Sequence, residues 1–205
     1  MNYETLANTE VINRAIDALT KHGVEGVLVS NRAEALAKVK SLIPNGASVM
    51  NGSSRTLEEI GFVDYLKSGN HAWKNIHEEV LTEKDPEKQA MLRKQAVLSD
   101  YYLGSVHAVA ETGQLVIASN SGSQLPHIVF TSPNLIFVVG AQKISPNLDA
   151  ALERVRDYVL PLEDKRMKDA GYGGSAISKL LIFEREQAFL GRKVRVVFVN
   201  EKLGF

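Results

Sequence analysis

Three polar runs in this 205-residue chain combine glycine with hydroxyl, amide or charged side chains, and they are the places where chemistry could sit. The first, Asn51-Gly52-Ser53-Ser54-Arg55, lies between a short apolar run, Ala47 to Asn51, and a helical pattern that starts near Thr56. At the carboxyl end of a strand in an open α/β sheet, such a turn offers an anion backbone N–H groups and a glycine that allows close approach. Its hydroxyls and guanidinium add donors. The same run serves equally as a capped loop in which Ser54 satisfies its own helix. It matches neither the phosphate-loop nor the dinucleotide spacing of glycines.

The second run, Ala110-Glu111-Thr112-Gly113, puts a carboxylate between two apolar strands. Folded into a pocket with Thr112 and Gly113, Glu111 could act as general base or nucleophile; pointed at water, it is ordinary turn chemistry. The third, Ser119-Asn120-Ser121-Gly122-Ser123-Gln124, leaves an apolar strand and ends at Leu125-Pro126-His127. Small residues around one glycine can form a nest of N–H groups for a carboxylate or phosphate, or a plain surface loop. His127, a lone histidine beside proline, reads as packed or capping. Gly171-Tyr172-Gly173-Gly174-Ser175 reads as a turn. The five histidines show no metal-ligand spacing, so no metal site is expected.

The elements that must position these runs follow from periodicity. Leu6, Val11, Ala15, Ile16 and Leu19 make one apolar stripe, and Gly23 supplies a helix stop, which predicts a first helix over about residues 3–22 at the periphery. A strand over Val24 to Ser30 and a helix capped by Asn31 follow. A strand to Asn51 and a helix from Thr56 come next. Such alternation implies crossover connections and a mostly parallel sheet with helices on both faces. Residues 63–99 read as two or three surface helices, one started by Pro86. Val106 to Ala110 and Leu115 to Ala118, joined by four residues, predict an antiparallel hairpin. Apolar runs at His127 to Phe130, Leu135 to Gly140, Leu180 to Phe183 and Val194 to Val199 read as further strands, with a helix from about Asn147 to Val159. The expected total is six to eight strands in one α/β domain spanning residues 1–205.

Composition narrows the classes of function. Twenty-four basic residues balance 24 acidic ones, so no net field draws the chain to nucleic acid or anionic lipid. With no cysteine the chain cannot ligate an iron–sulfur cluster through thiolates or form a disulfide. No apolar run approaches the roughly 20 residues of a membrane span, and the start lacks the pattern of a secretory signal, so a cytoplasmic protein is expected. The apolar strands leave room for a homodimer.

The stretch Asp100-Tyr101-Tyr102-Leu103-Gly104-Ser105-Val106-His107-Ala108-Val109-Ala110-Glu111-Thr112-Gly113-Gln114-Leu115-Val116 resembles the central motif of the LUD domain family, the lactate-utilisation proteins of the LutC/YkgG type. Ser132-Pro133-Asn134 through Ile144 and the Gly52 loop with Leu57-Glu58-Glu59-Ile60-Gly61-Phe62 extend the likeness from about Glu34 to the C-terminus. The chain departs from better-studied members at Gly173-Gly174-Ser175 and Phe189-Leu190-Gly191-Arg192, where a histidine and two prolines of the family pattern are absent.

The resemblance implies a three-layer α/β/α fold of the NagB/RpiA/CoA transferase-like kind. It also implies a pocket in which the Gly52–Arg55, Glu111–Gly113 and Asn120–Gln124 runs converge on a small anionic ligand, with Glu111 as the analogue of the CoA-transferase nucleophile. It further implies a role in lactate or related short 2-hydroxy acid use, with iron–sulfur partner subunits carrying the cysteines. A non-catalytic assembly module is the alternative, as is a CoA transferase or sugar-phosphate isomerase-like enzyme using Glu111. No cofactor is indicated.

Overall fold

A computed structural model describes residues 2–205. In chain order the strands are β1 (Val24–Val29), β2 (Ser48–Asn51), β3 (Lys74–Asn75), β4 (Tyr101–Gly104), β5 (Ala108–Ala110), β6 (Leu115–Ser119), β7 (Asn134–Gly140), β8 (Ile144–Ser145), β9 (Lys179–Phe183) and β10 (Lys193–Val199). The α-helices are α1 (Thr9–Lys21), α2 (Arg32–Leu42), α3 (Arg55–Glu59), α4 (Phe62–Ser68), α5 (Ile76–Thr82), α6 (Pro86–Gln95), α7 (Leu148–Arg154) and α8 (Leu160–Asp169). Six strands form a sheet in the order β1-β10-β7-β4-β2-β3, every pair parallel. A second sheet, β8-β5-β6-β9, contains the expected hairpin of β5 and β6. The apolar-run reading misses three of the ten strands: β3 and β8, which have only two residues each, and the four-residue β4.

Alternation along the central strands divides the core. Val194, Val196 and Phe198 of β10, with Leu135, Phe137 and Val139 of β7, face one side and pack with Val109, Leu115, Ile117 and Phe183 of the second sheet. Val197, Val199, Ile136 and Val138 face the other side and pack with Ala35 and Val39 of α2, Leu57 of α3 and Phe62 and Leu66 of α4. The outer face of the second sheet, through Ala108 and Val116, is covered by Ala151 of α7 and by Val155. The result is a mixed α/β fold in which the parallel six-stranded sheet is flanked by helices, with the small second sheet layered inside one flank.

α1 starts at Asn8, whose side chain accepts from the Val11 N–H at 2.9 Å. The helix begins at Thr9 and not near residue 3, and it is not peripheral. Ala15 and Leu19 of the expected stripe, joined by Ile12, are fully buried in the cluster that includes residues of both sheets, whereas Leu6 precedes the helix and is exposed. Each such side chain contributes about 1.5–3 kcal/mol, or less for alanine. α2 begins with a reciprocal cap, Asn31 accepting from the Glu34 N–H and Glu34 from the Ser30 N–H. Pro86 occupies the first turn of α6 as expected.

Two expectations fail locally. His127–Phe130 is no strand but a single wide helical turn, His127–Thr131. A short apolar run cannot be told from a buried helical turn by periodicity. Here Pro126 presets a helical φ, and Arg192 gathers the carbonyls of His127, Ile128, Val129 and Ser132. The helix expected to end near Val159 continues to Asp169 through a wide turn at Val155–Val159. Pro161 lacks the N–H that would reach back to Asp157, and the wider turn absorbs that gap without ending the helix. Among the described residues no helix is long and apolar enough to cross a membrane.

Candidate functional site

Strand order defines where a ligand can bind. From β2 the chain passes outward to β3, through α3 and α4 on one face; from β4 it passes the other way to β7, through the second sheet on the opposite face. The two connections part at the carboxyl ends of β2 and β4, and such a divergence leaves a crevice in open α/β sheets. A cavity of about 390 Å³ lies there.

Its walls come from seven places, two of them Ser175–Ile177 after α8 and the C-terminal Gly204–Phe205. Gly52, Ser53, Ser54, Arg55 and Thr56 follow β2; Ser105, Val106 and His107 follow β4; Lys143 stands just beyond β7. Ser119, Asn120, Ser121, Ser123 and Gln124 follow β6. Val155, Val159, Leu160, Glu163, Arg166 and Met167 come from the helix beginning at Leu148. The Gly52–Arg55 and Asn120–Gln124 runs, far apart in sequence, thus share one cavity, although Gly122 turns away and packs against the Lys179 side chain.

Glu111, Thr112 and Gly113 do not join them. They form the hairpin tip, at the far end of β5 and β6 from His107 and Ser119. The Glu111 carboxylate accepts from Arg14 Nε at 3.0 Å, with its side chain 22% exposed, and the Glu111 N–H donates to the Ser145 carbonyl. Gly113, at φ +99°, sits against Ala18 and His22 of α1, where a Cβ would collide with the His22 ring. The tip docks on α1, and the convergence expected of all three runs is corrected to two.

Both loops spend part of their donors on themselves. Ser54 accepts from the Leu57 N–H at 3.3 Å and caps α3, while Arg55 pairs with Glu58 at 2.9 Å. Ser119 Oγ takes the Gly122 N–H and Ser121 Oγ the Ser123 N–H, so the anticipated nest of free N–H groups is partly filled. Asn120 accepts from Ser178 Oγ. Gly52 packs so tightly on Tyr102 that a Cβ would strike the phenol oxygen. Tyr102 in turn donates to Gln124 at 3.4 Å and stacks on His127.

The group with most chemical consequence is Lys143, which sequence reasoning passed over. It is 3% exposed, and its Nζ donates to Thr56 Oγ1 at 3.0 Å, Ser105 Oγ at 3.1 Å and the Val106 carbonyl at 3.3 Å. None of the three is a carboxylate. Burial pushes its pKa down to about 7, the nearby Arg154 pushes the same way, and Glu59 opposes. His107 accepts the Ala118 N–H on Nδ1, which leaves Nε2 as the N–H of a neutral ring. Burial, then the charges of Lys143 and Arg154, hold its pKa near 3. Arg154 is buried beneath, donating to the His107 carbonyl at 2.6 Å. At the rim Arg166 and Glu163 make a two-bond pair, both at 2.7 Å. Among the described residues no group of three His, Asp or Glu side chains could hold a metal ion. All three Lys143 Nζ hydrogens are spent on the Thr56, Ser105 and Val106 oxygens, so a carboxylate placed here would meet the ammonium's charge and take its hydrogen bonds from other donors, such as the His107 Nε2–H.

The fold is that of an α/β protein with a crevice at the carboxyl edge of a parallel sheet. The family model of the LUD domain matches residues 12–174, and the chain belongs to that family. It is similar in structure to a DUF162 family protein from Deinococcus radiodurans, with 13% identity, a TM-score of 0.56, and coverage of 96% of this chain and all of that one. At that identity the likeness speaks for the fold alone. A search of curated proteins finds no match.

Proposed function

We propose that the chain is the ligand-binding component of a system using lactate or a related 2-hydroxy acid, and that its cavity holds the acid's carboxylate against Lys143. Membership of the LUD domain family supports a lactate-utilisation-related role. The observation that carries the site is a buried lysine with three neutral oxygen partners, facing a cavity. A buried charge with no carboxylate among its hydrogen-bond partners and only Glu59 to attract it is costly, and a ligand carboxylate would add a second negative charge. His107 Nε2–H and the Ser53 and Ser54 hydroxyls would orient it. With no cysteine in the chain, thiolate-held clusters would belong to partner subunits.

The test is thermal unfolding with and without 2-hydroxy and 2-oxo carboxylates. Carboxylates at concentrations well above their dissociation constants should raise the midpoint of the wild type, and Lys143→Met should abolish the rise while still folding. An equal response from Lys143→Met, or none from the wild type, would defeat the proposal.

A role in assembly rests on a separate observation. Phe130 and Phe189 are 71% and 84% exposed, on two segments that Arg192 ties together. Exposed aromatics in one region fit a protein partner, either an iron–sulfur subunit or a second copy. Co-purification lost in a Phe130→Ser/Phe189→Ser double variant, with carboxylate binding retained, would support it; unchanged association would remove it.

A further inference from the structure

We infer that the cavity is built for a 2-hydroxy or 2-oxo acid carrying a bulky apolar side chain, aryl or branched alkyl, and not for a three-carbon acid. This rests on the carboxylate reading above.

Size argues first. Water takes about 30 Å³ per molecule in the liquid, so about 390 Å³ equals at least about thirteen waters. Lactate has six non-hydrogen atoms. Counting about one water volume per atom as a generous limit, it leaves half the space unfilled. On the same limit phenyllactate and phenylpyruvate, with twelve, still fit inside it.

The division of the lining argues second. Ser53, Ser105, His107 and Lys143, on loops at the sheet edge, make the polar side. Val155, Val159, Leu160 and Met167, from the helical side, supply apolar lining, with the Glu163–Arg166 pair between the last two, and Ile177 adds to it from a separate segment. A carboxylate anchored at Lys143 leaves the methyl of lactate too short to cover that lining. Water against an uncovered apolar wall is displaced favourably by any side chain that reaches it. The apolar lining follows from the wide turn at Val155–Val159, which carries two of its members. The rim cation is already spent: Arg166 is held by Glu163, so the outer part of the cavity offers little to a second anionic group.

Isothermal titration calorimetry of the full chain with lactate, pyruvate, phenyllactate and phenylpyruvate tests this. Phenyl acids should bind at least tenfold tighter than their three-carbon counterparts. Met167→Gln, and separately Ile177→Gln, should cut that ratio at least threefold; both positions are only half-buried, so folding should survive. Equal or tighter binding of lactate, or a ratio untouched by both variants, would overturn the inference while leaving the carboxylate site standing. Binding of none of the four acids would overturn both.

Discussion

Lys143 Nζ stands 3.0 Å from Thr56 Oγ1, joining the segment after β7 to the first turn of α3 across 87 positions of sequence. Thr56 is itself buried, so its hydroxyl accepts from the lysine with no competing water while donating to the Leu203 carbonyl at 3.4 Å. Thr56→Val should therefore cost about 1–3 kcal/mol of unfolding free energy at pH 6, where the lysine is an ammonium needing three acceptors. At pH 9 the amine is mostly neutral and the cost should shrink. The wild type should gain stability between about pH 7 and 10.5 from this group, because there the unfolded chain still holds a proton that the folded chain has released. Urea unfolding of both proteins at the two pH values measures this; a pH-independent penalty would detach Thr56 from the lysine's charge.

The same titration governs ligand binding. Below about pH 7 Lys143 is charged and carboxylate affinity should be flat; above it, affinity should fall by up to tenfold per pH unit as the ammonium is lost. His107, neutral throughout that range, contributes no slope. Calorimetry from pH 6 to 9 reads the curve directly. A flat profile would mean that another group holds the carboxylate.

How much of this was legible before the structure depends on the distance over which each residue's role is set. Ser54 as a cap and Gly23 as a stop are decided within a turn of chain, and the hairpin of β5 and β6 within a dozen residues, so local pattern revealed them. The direction in which that hairpin points is decided by α1 and by the pairing with β8 and β9, and nothing in Glu111-Thr112-Gly113 encodes it. Lys143 is the opposite failure. A lysine three residues past the apolar run Leu135–Gly140 had one readable sign, its place just beyond a strand's carboxyl end; the burial it shares with Ala141 and Gln142 is set by the fold. A charged residue beyond a central strand's carboxyl end, before solvent is reached, is a signal worth weighing beside glycine-rich loops. His107 gave the same sign within Val106 to Ala110.

Acid should find two histidines, the buried His127 and the half-buried His107. His107 and His127 are both held neutral, at about 3 and about 4, chiefly by burial, so the unfolded chain binds protons that the folded chain refuses. The depressed values mean stability is fully present above about pH 6.5 and is lost as the pH falls toward 4. Each histidine adds a slope of up to about 1.4 kcal/mol per pH unit. His127→Asn, which keeps a polar contact to Ser132, should flatten the curve by one such share. Denaturant titrations at half-unit steps would show it; an unchanged slope would place the acid sensitivity elsewhere.

The hairpin tip offers the sharpest discrimination between the expected site and the observed one. If the carboxylate of Glu111 served a reaction, removing its charge would abolish turnover or ligand response. In the structure it faces Arg14, whose side chain is 57% exposed, and such a pair contributes about 0–1 kcal/mol. Glu111→Gln should accordingly shift unfolding by no more than about 1 kcal/mol and leave carboxylate affinity within twofold of the wild type. Gly113→Ala, at the same tip, should do much more harm to stability: a Cβ there meets the His22 ring at 2.8 Å and the backbone of Ala18 at 3.1 Å, in a φ region alanine avoids. A Glu111→Gln protein that folds normally but no longer binds its acid would return the carboxylate to the site and require α1 to move aside.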